Sequence, residues 1–227
     1  VLFSMCLSWP VAVQAMDSDD YYQAAQEYFE EGKLKHAVIQ LKNALLLDQD
    51  YTKARLLLGK IYLEQENPRS AEKELGRARE LGADREDLLP LLGKVLLILR
   101  QEDRVIEEVK VEKGDSIPLQ INILLLQGKA YLLKEELDTA NQKFSDVLAL
   151  EPNAAEAFLG KARVAIKRGE HEPASELIER ALDRGMPIRQ FENDRVLAPF
   201  CDEIQRKETW KDIGAIPRYR FFLHPLQ

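Results

Sequence analysis

A spacing of 34 residues recurs along most of the chain and limits the possible folds more than any other feature of the sequence. Small residues stand at five equivalent positions, Ala25, Gly59, Gly93, Gly128 and Ala162, with one separation of 35. A bulky apolar residue follows each of them sixteen positions later, at Leu41, Leu75, Val109, Phe144 and Ile178. A period of this length is typical of supersecondary units that stack on their neighbours. The sequence therefore predicts a repeat array.

Two helices are predicted in each copy. Apolar positions three and four residues apart share one face of a helix, and glycines such as Gly32 and Gly169 mark turns between two such patterns. We predict an all-α fold, a right-handed superhelix (α-solenoid) of about five helix-turn-helix repeats. The predicted copies cover about 18–51, 52–85, 86–120, 121–154 and 155–186, and together they fill 16–186.

The third copy and the C-terminal region depart from the pattern. Val105 replaces the alanine that the other copies carry, and the irregular run at 111–118 follows, so we expect a shortened or distorted second helix there. Residues 187–227 are not periodic, and we predict a C-terminal cap and tail. Within them, Leu197, Phe200, Ile204 and Trp210 suit a short amphipathic helix that covers the last repeat, as the end of an array requires.

Residues 1–15 are uncharged and mostly apolar. This run is shorter than the ~20 residues that a transmembrane helix needs. It ends in Val13-Gln14-Ala15, a small-residue pattern that signal peptidase accepts, so we predict a signal peptide and an exported protein. Cys6 raises the alternative of a lipid anchor. Phe3, Ser4 and Met5 precede it, however, where lipidation requires a leucine and small residues.

Charge and motif content exclude several function classes. The formal charge is −7, from 32 basic and 39 acidic residues, which disfavours a nucleic-acid-binding repeat because such affinity comes largely from cations on phosphates. None of the Gly-Lys pairs has the upstream glycine of a phosphate-binding loop, and His171-Glu172 lacks the second histidine of a zinc site. We expect no catalysis, cofactor or metal. An enzyme with dispersed active-site residues is the disfavoured alternative.

The residues that follow the small positions suggest a binding surface. They are Gln26, Lys60, Lys94, Lys129 and Arg163. The last four, here called the cation row, are expected on the concave surface, because the first helix of each pair lines it. Apolar residues flank the row, so a partner segment with acidic and apolar side chains would fit. Solvated surface lysines are the alternative. The candidate groove residues are Tyr22, Gln26, Leu56, Lys60, Lys94, Leu97, Leu125, Lys129, Leu132 and Arg163.

The chain resembles the tetratricopeptide repeat (TPR) family over about 18–186. LLLGKIYLEQENPRSAEKELGRA and LLLQGKAYLLKEELDTANQKF are among its best copies. The resemblance implies a non-catalytic scaffold that binds protein or peptide segments in its concave groove. One subclass grips C-terminal carboxylates with a Lys/Asn/Arg clamp. Its positions here are Tyr22, Gln26, Leu57, Asp87 and Leu91, so that clamp is absent.

A narrower resemblance concerns the segments YFEEGKLKHAVIQLKNALLLDQD and LLPLLGKVLLILRQEDRVIEEV. They are similar to the N-terminal region of TPR proteins of the PEP-CTERM/exosortase system. This likeness implies a scaffold in the periplasm or at the outer membrane of a Gram-negative bacterium, acting in exopolysaccharide production and protein export. Membrane contact would come only from a lipid anchor or a partner. An assembly factor for outer-membrane or secretion complexes is the alternative.

Overall fold

The computed structural model describes residues 16–187, 196–197 and 199–200. Residues 16–187 form helices joined by turns and contain no strand, which confirms the all-α prediction. The helices are α1 (Ser18–Glu30), α2 (Leu34–Leu47), α3 (Thr52–Glu64), α4 (Pro68–Glu80), α5 (Arg85–Ile98), α6 (Glu102–Glu108), α7 (Ile117–Leu133), α8 (Leu137–Leu150), α9 (Ala155–Arg168) and α10 (His171–Asp183). The predicted signal peptide lies outside the described residues.

The helices pack as successive pairs in two compact units. The first unit, Val1–Leu99, contains α1–α5, and the second, Arg100–Gln227, contains α6–α10. Within them α1 packs on α2, α3 on α4, α7 on α8 and α9 on α10. The division falls between α5 and α6, inside the third predicted copy.

Small residues in the first unit face the bulky residue sixteen positions later, as the period predicts. Ala25 and Leu41 are fully buried in one cluster. A Cβ placed on Gly59 would lie 2.7 Å from the side chain of Leu75, closer than van der Waals contact allows. A larger residue at position 59 would therefore force Leu75 to move where α3 crosses α4.

Among the described residues of the second unit, Phe144 is the largest fully buried side chain. A Cβ on Gly128 of α7 would approach its ring to 2.6 Å, and Gly160 of α9 also approaches the ring closely. Phe144 thus packs against two helices that have no side chain at the contact point. Leu197 and Phe200 are buried in the same cluster as the last helix pair, whereas Ile204 and Trp210 of the predicted cap lie outside the described residues.

The turns inside the copies share one backbone feature. Each contains a residue with positive φ, at Gly32 (72°), Glu66 (56°), Arg100 (59°), Glu135 (64°) and Gly169 (78°). These positions follow the same 34-residue spacing, with the one inserted residue. Two of the five turns use glycine, for which this conformation is free of strain. The other three place an L side chain in the left-handed region, which costs about 1–2 kcal/mol each.

The second helix of the third copy is short, as predicted. α6 spans only seven residues and ends at Glu108. The next residue, Val109, is buried, and its carbonyl accepts a 2.9 Å hydrogen bond from Nε2 of Gln127 on α7. Gln127 is itself 7% exposed. Its amide therefore satisfies a backbone acceptor that the early end of α6 leaves without a helical partner.

α7 is the most apolar of the described helices, and nine of its residues are buried in the second unit. Its 17 residues extend about 26 Å, less than the ~30 Å hydrocarbon core of a bilayer. Within residues 16–187, no helix combines the length and hydropathy that crossing a membrane demands.

Candidate partner-binding groove

The first helices of the first unit border an open groove of about 600 Å³. We call it the first-unit groove. α1, α3 and α5 each contribute side chains to it, and the residues that line it are Tyr22, Gln26, Lys53, Leu56, Leu57, Lys60, Glu86, Asp87, Pro90 and Leu91. Four of the candidate residues from the sequence, Tyr22, Gln26, Leu56 and Lys60, are thus brought together.

The floor of the first-unit groove is apolar. Tyr22, Leu56 and Pro90 occupy the same position of three consecutive first helices, 34 residues apart, and all three are half-buried. The ring of Tyr22 also packs against that of Tyr51, with centroids 5.2 Å apart. Apolar surface that a single chain leaves half-exposed in a concave site favours a partner side chain.

Charged side chains border this floor. Lys53 and Lys60 lie on α3, and Glu86 and Asp87 lie on α5, all four exposed. Among the described residues, none of these four side chains forms a hydrogen bond or ion pair, although Lys60 Nζ lies 4.7 Å from the centroid of the Phe29 ring. The cation row alone therefore does not describe the charge of the groove, because carboxylates line it too.

The surroundings of Tyr22 raise the pKa of its hydroxyl. Burial raises the pKa of its hydroxyl, and the negative charge of Asp87 raises that pKa further. The same hydroxyl has no hydrogen-bond partner in the part of the chain that the structure describes. A polar group of the groove is therefore available to a ligand beside the apolar floor.

One edge of the floor is fixed by a hydrogen bond between helices. The hydroxyl of Tyr51 donates to Oδ1 of Asp19, in the first turn of α1. Burial raises the pKa of the Tyr51 hydroxyl, and the hydrogen bond to the Asp19 carboxylate raises it further. Tyr51 in turn holds the ring of Tyr22, so this contact positions part of the groove.

Two candidate residues of the first unit lie elsewhere. Lys94 is exposed on α5, and Leu97 is half-buried one turn later, but neither lines the first-unit groove. They remain predicted binding residues.

The second unit presents a smaller cavity, about 170 Å³, which we call the second-unit pocket. Lys129, Leu132 and Arg163 from the candidate set line it, together with Phe144, Glu156, Leu159, Gly160 and Met186. Lys129 Nζ lies 3.4 Å from a carboxylate oxygen of Glu156. Leu125 and Leu132 are each only 7% exposed, so the apolar row of this unit is mostly core.

A second lysine of this unit is partly buried. Nζ of Lys161 donates to Oγ of Ser145 at 2.7 Å, and burial lowers its pKa, helped by the charge of Arg168. The hydroxyl of Ser145 donates its own hydrogen bond to the carbonyl oxygen of Asn141, on the same helix. The contact fastens α9 to α8.

Sequence reasoning about the cation row missed half of the first-unit groove. Lys53 and Glu86 were not among the candidates, and Leu57, Asp87 and Leu91 entered only as clamp positions. The 34-residue period offered a signal for two of these residues. Lys53 and Asp87 occupy equivalent positions of consecutive copies, 34 residues apart, as Tyr22 and Leu56 do. In the described part of the chain, no group of three or more His, Cys, Asp or Glu side chains could hold a metal ion.

Comparison with known proteins identifies the repeat. The family profile described as Tetratricopeptide repeat matches residues 28–95 and 131–186, more than half of the chain. No curated protein sequence matches the chain.

Solved structures with the same fold include YrrB, PilW and MamA. YrrB, described as a TPR protein with an unusual peptide-binding site, is 22% identical with a TM-score of 0.59, covering 82% of this chain and 92% of YrrB. PilW, described as a type IV pilus biogenesis factor, is 17% identical with a TM-score of 0.67, covering 85% and 94%. MamA is 18% identical with a TM-score of 0.62, covering 78% and 96%. At identities this low, the structural comparison establishes similarity of fold alone.

Proposed function

The chain belongs to the tetratricopeptide repeat family, and we propose that it is a non-catalytic interaction scaffold of the bacterial cell envelope whose first-unit groove binds segments of partner proteins. The observation that carries the proposal is the half-buried floor of Tyr22, Leu56 and Pro90, bordered by four exposed charged side chains that form no hydrogen bond or ion pair among the described residues.

The chemistry of the groove supports binding and not turnover. A protein segment gains affinity by covering apolar surface, and it gains orientation and specificity from charges around that surface. The groove supplies both. Its titratable residues are exposed carboxylates, exposed lysines and the half-buried Tyr22, and none of them forms a nucleophile–base pair among the described residues. The description of YrrB as a peptide-binding TPR protein is in keeping with this use of the fold.

The envelope location rests on the sequence. The apolar run at 1–15 suits a signal peptide, and the likeness to TPR proteins of the PEP-CTERM/exosortase system favours a role in exopolysaccharide production and protein export. An assembly factor for outer-membrane or secretion complexes is the second candidate. The similarity of fold to PilW, a pilus biogenesis factor, favours it.

The proposal is tested by a crosslinked pull-down from bacterial envelopes with the tagged chain. The test variant is Lys53→Glu with Lys60→Glu, which reverses the charge of both lysines that line the first-unit groove. The matched control is Lys35→Glu with Lys73→Glu, which makes the same change of net charge on the exposed faces of α2 and α4. Circular dichroism verifies that both variants are folded.

We expect the unmodified chain and the control to capture the same partner and the groove variant to lose it. The identity of the partner then separates the two candidates, since one predicts polysaccharide or sorting machinery and the other a pilus, secretin or barrel component. Equal capture by both folded variants would contradict binding in the groove. Reproducible hydrolase or transferase turnover by the purified chain would contradict a scaffold.

A further inference from the structure

The two sides of the first-unit groove carry charges of opposite sign. α3 contributes Lys53 and Lys60, and α5 contributes Glu86 and Asp87. Opposite charges that line one groove would form ion pairs if the backbone brought them together, yet no hydrogen bond or ion pair joins these side chains. Elsewhere in the same unit such pairs do form, as between Arg55 and Glu74 at 2.7 Å. The groove thus holds the charges of its two sides apart.

The acidic side also has a backbone acceptor. Pro90 lies inside α5 and has no N–H, so the carbonyl of Glu86 lacks the helical donor four residues later. Both residues line the groove. Two carboxylates and a carbonyl without its helical partner favour a cationic donor such as Lys or Arg, because charge-assisted hydrogen bonds are the strongest that such acceptors make.

The separation of the two sides sets a spacing for the ligand. α3 and α5 run in the same direction because α4 returns between them, and they contact each other directly. Packed helices have axes about 8–10 Å apart. An extended chain advances about 3.3 Å per residue, so about three residues cross from one side to the other.

We propose that the first-unit groove selects an extended segment with charges of both signs. An acidic residue of the segment faces Lys53 and Lys60, and a basic residue about three positions away faces Glu86 and Asp87. An apolar side chain between them occupies the floor at Leu56. This inference rests on the proposed function and narrows it. It differs from the acidic ligand that the cation row suggests, because Glu86 and Asp87 would repel a segment with acidic residues along its whole length.

Selection from a random peptide library tests the inference. Random nine-residue peptides displayed on phage are selected against the full 227-residue chain, the Lys53→Glu/Lys60→Glu variant, the Glu86→Lys/Asp87→Lys variant and the Lys35→Glu/Lys73→Glu control. Sequencing gives a consensus for each target. The best peptide from the unmodified chain is then synthesised with a fluorophore, and its binding to all four proteins is measured by anisotropy.

The unmodified chain and the control should enrich peptides in which an acidic and a basic residue flank an apolar one about three positions apart. The lysine reversal should remove the acidic residue from the consensus and the carboxylate reversal the basic one. Each should weaken the synthetic peptide about tenfold, because two exposed attractions become repulsions.

Other results would overturn the inference in distinguishable ways. A consensus of a single charge sign that still changes with one of the two reversals would overturn the inference while leaving groove binding in place. Apolar positions at helical spacing would indicate a helical ligand and overturn the extended form. If no peptide depends on any groove residue, the proposed function fails and the inference with it.

Discussion

Two positions that follow small residues, Gln26 and Lys60, border an open groove in the first unit, and two others, Lys129 and Arg163, border a narrow pocket in the second. The cavity volumes are about 600 and about 170 Å³. Gln26 and Lys60 are exposed beside the first, whereas Lys129 in the second is half-buried and paired with Glu156. Equivalent positions of one period therefore present very different surfaces.

The difference comes from the residues packed around those positions. In the second unit the ring of Phe144 and the side chains of Leu132 and Met186 line the pocket, and Leu125 is buried beside them. In the first unit the smaller Leu75 lies below Gly59, and the groove stays open. The period determines which face a residue is on, and the volume of its neighbours determines whether that face is available to a partner.

The largest expected effect concerns packing at the helix crossings. Gly128→Leu should destabilise the chain by about 3 kcal/mol, the upper end of what overpacking costs, because the ring of Phe144 also packs against Gly160 and has little room to move. Gly59→Leu should cost about 1–2 kcal/mol, because Leu75 can change its rotamer. Urea unfolding measures both. Equal costs would contradict the difference in core rigidity between the units.

The next effect concerns the buried amide of the second unit. Gln127→Leu keeps most of the side-chain volume but leaves the carbonyl of Val109 without a donor, so we expect a loss of about 1–2 kcal/mol. Gln142→Leu on the exposed face of α8 is the control and should change stability by less than about 0.5 kcal/mol. If the two variants unfold at the same denaturant concentration, Gln127 does not support the end of α6.

A stabilising change is expected in the turns with positive φ. Glu66→Gly in the first unit removes left-handed strain and should stabilise by about 0.5–1 kcal/mol after the added chain entropy of glycine is counted. Glu135→Gly in the second unit should gain less, because Glu135 accepts a 3.0 Å hydrogen bond from Lys167 that the substitution removes. Thermal unfolding of both variants checks the order, and a loss of stability in Glu66→Gly would contradict the assigned turn geometry.

The smallest effect depends on pH and concerns the Tyr51–Asp19 contact of the first unit. The pKa of Tyr51 is raised in the fold above its usual value of 10.0, so the unfolded chain releases this proton first. Its stabilising contribution is complete below pH 10 and decreases as the pH rises above 10. Between about pH 10 and 11, the melting temperature of Tyr51→Phe should therefore fall less than that of the unmodified chain. Parallel losses in the two proteins would show that Tyr51 does not contribute.

The sequence alone was sufficient for the fold. Pairs such as Gly59 with Leu75 and Gly128 with Phe144 stand sixteen residues apart and meet in the structure, because the spacing within a helix pair is set by helix geometry. The shortened α6 was also predictable, from Val105 and the irregular run after it. Both features follow from local periodicity.

The groove was predictable only in part. Tyr22, Leu56 and Lys60 were identified from the period, but Lys129 was counted as an available cation although Glu156, 27 residues later, lies within ion-pair distance. That contact depends on packing between repeats. Likewise, nothing local in the sequence indicates that Gln127 is buried, because its partner is a carbonyl exposed by the end of another helix.

The measurement that tests the central claim most directly is site-specific photocrosslinking at equivalent positions of the two units. p-Benzoylphenylalanine replaces Gln26 in one chain and Lys129 in another, and a third chain carries it at Ile39, which is exposed on α2 away from both cavities. Each chain is irradiated in bacterial envelopes, and adducts are mapped by mass spectrometry. We predict that position 26 crosslinks one defined partner segment and that positions 129 and 39 do not. A partner segment that crosslinks at position 129 but not at position 26 would contradict the assignment of partner binding to the first-unit groove.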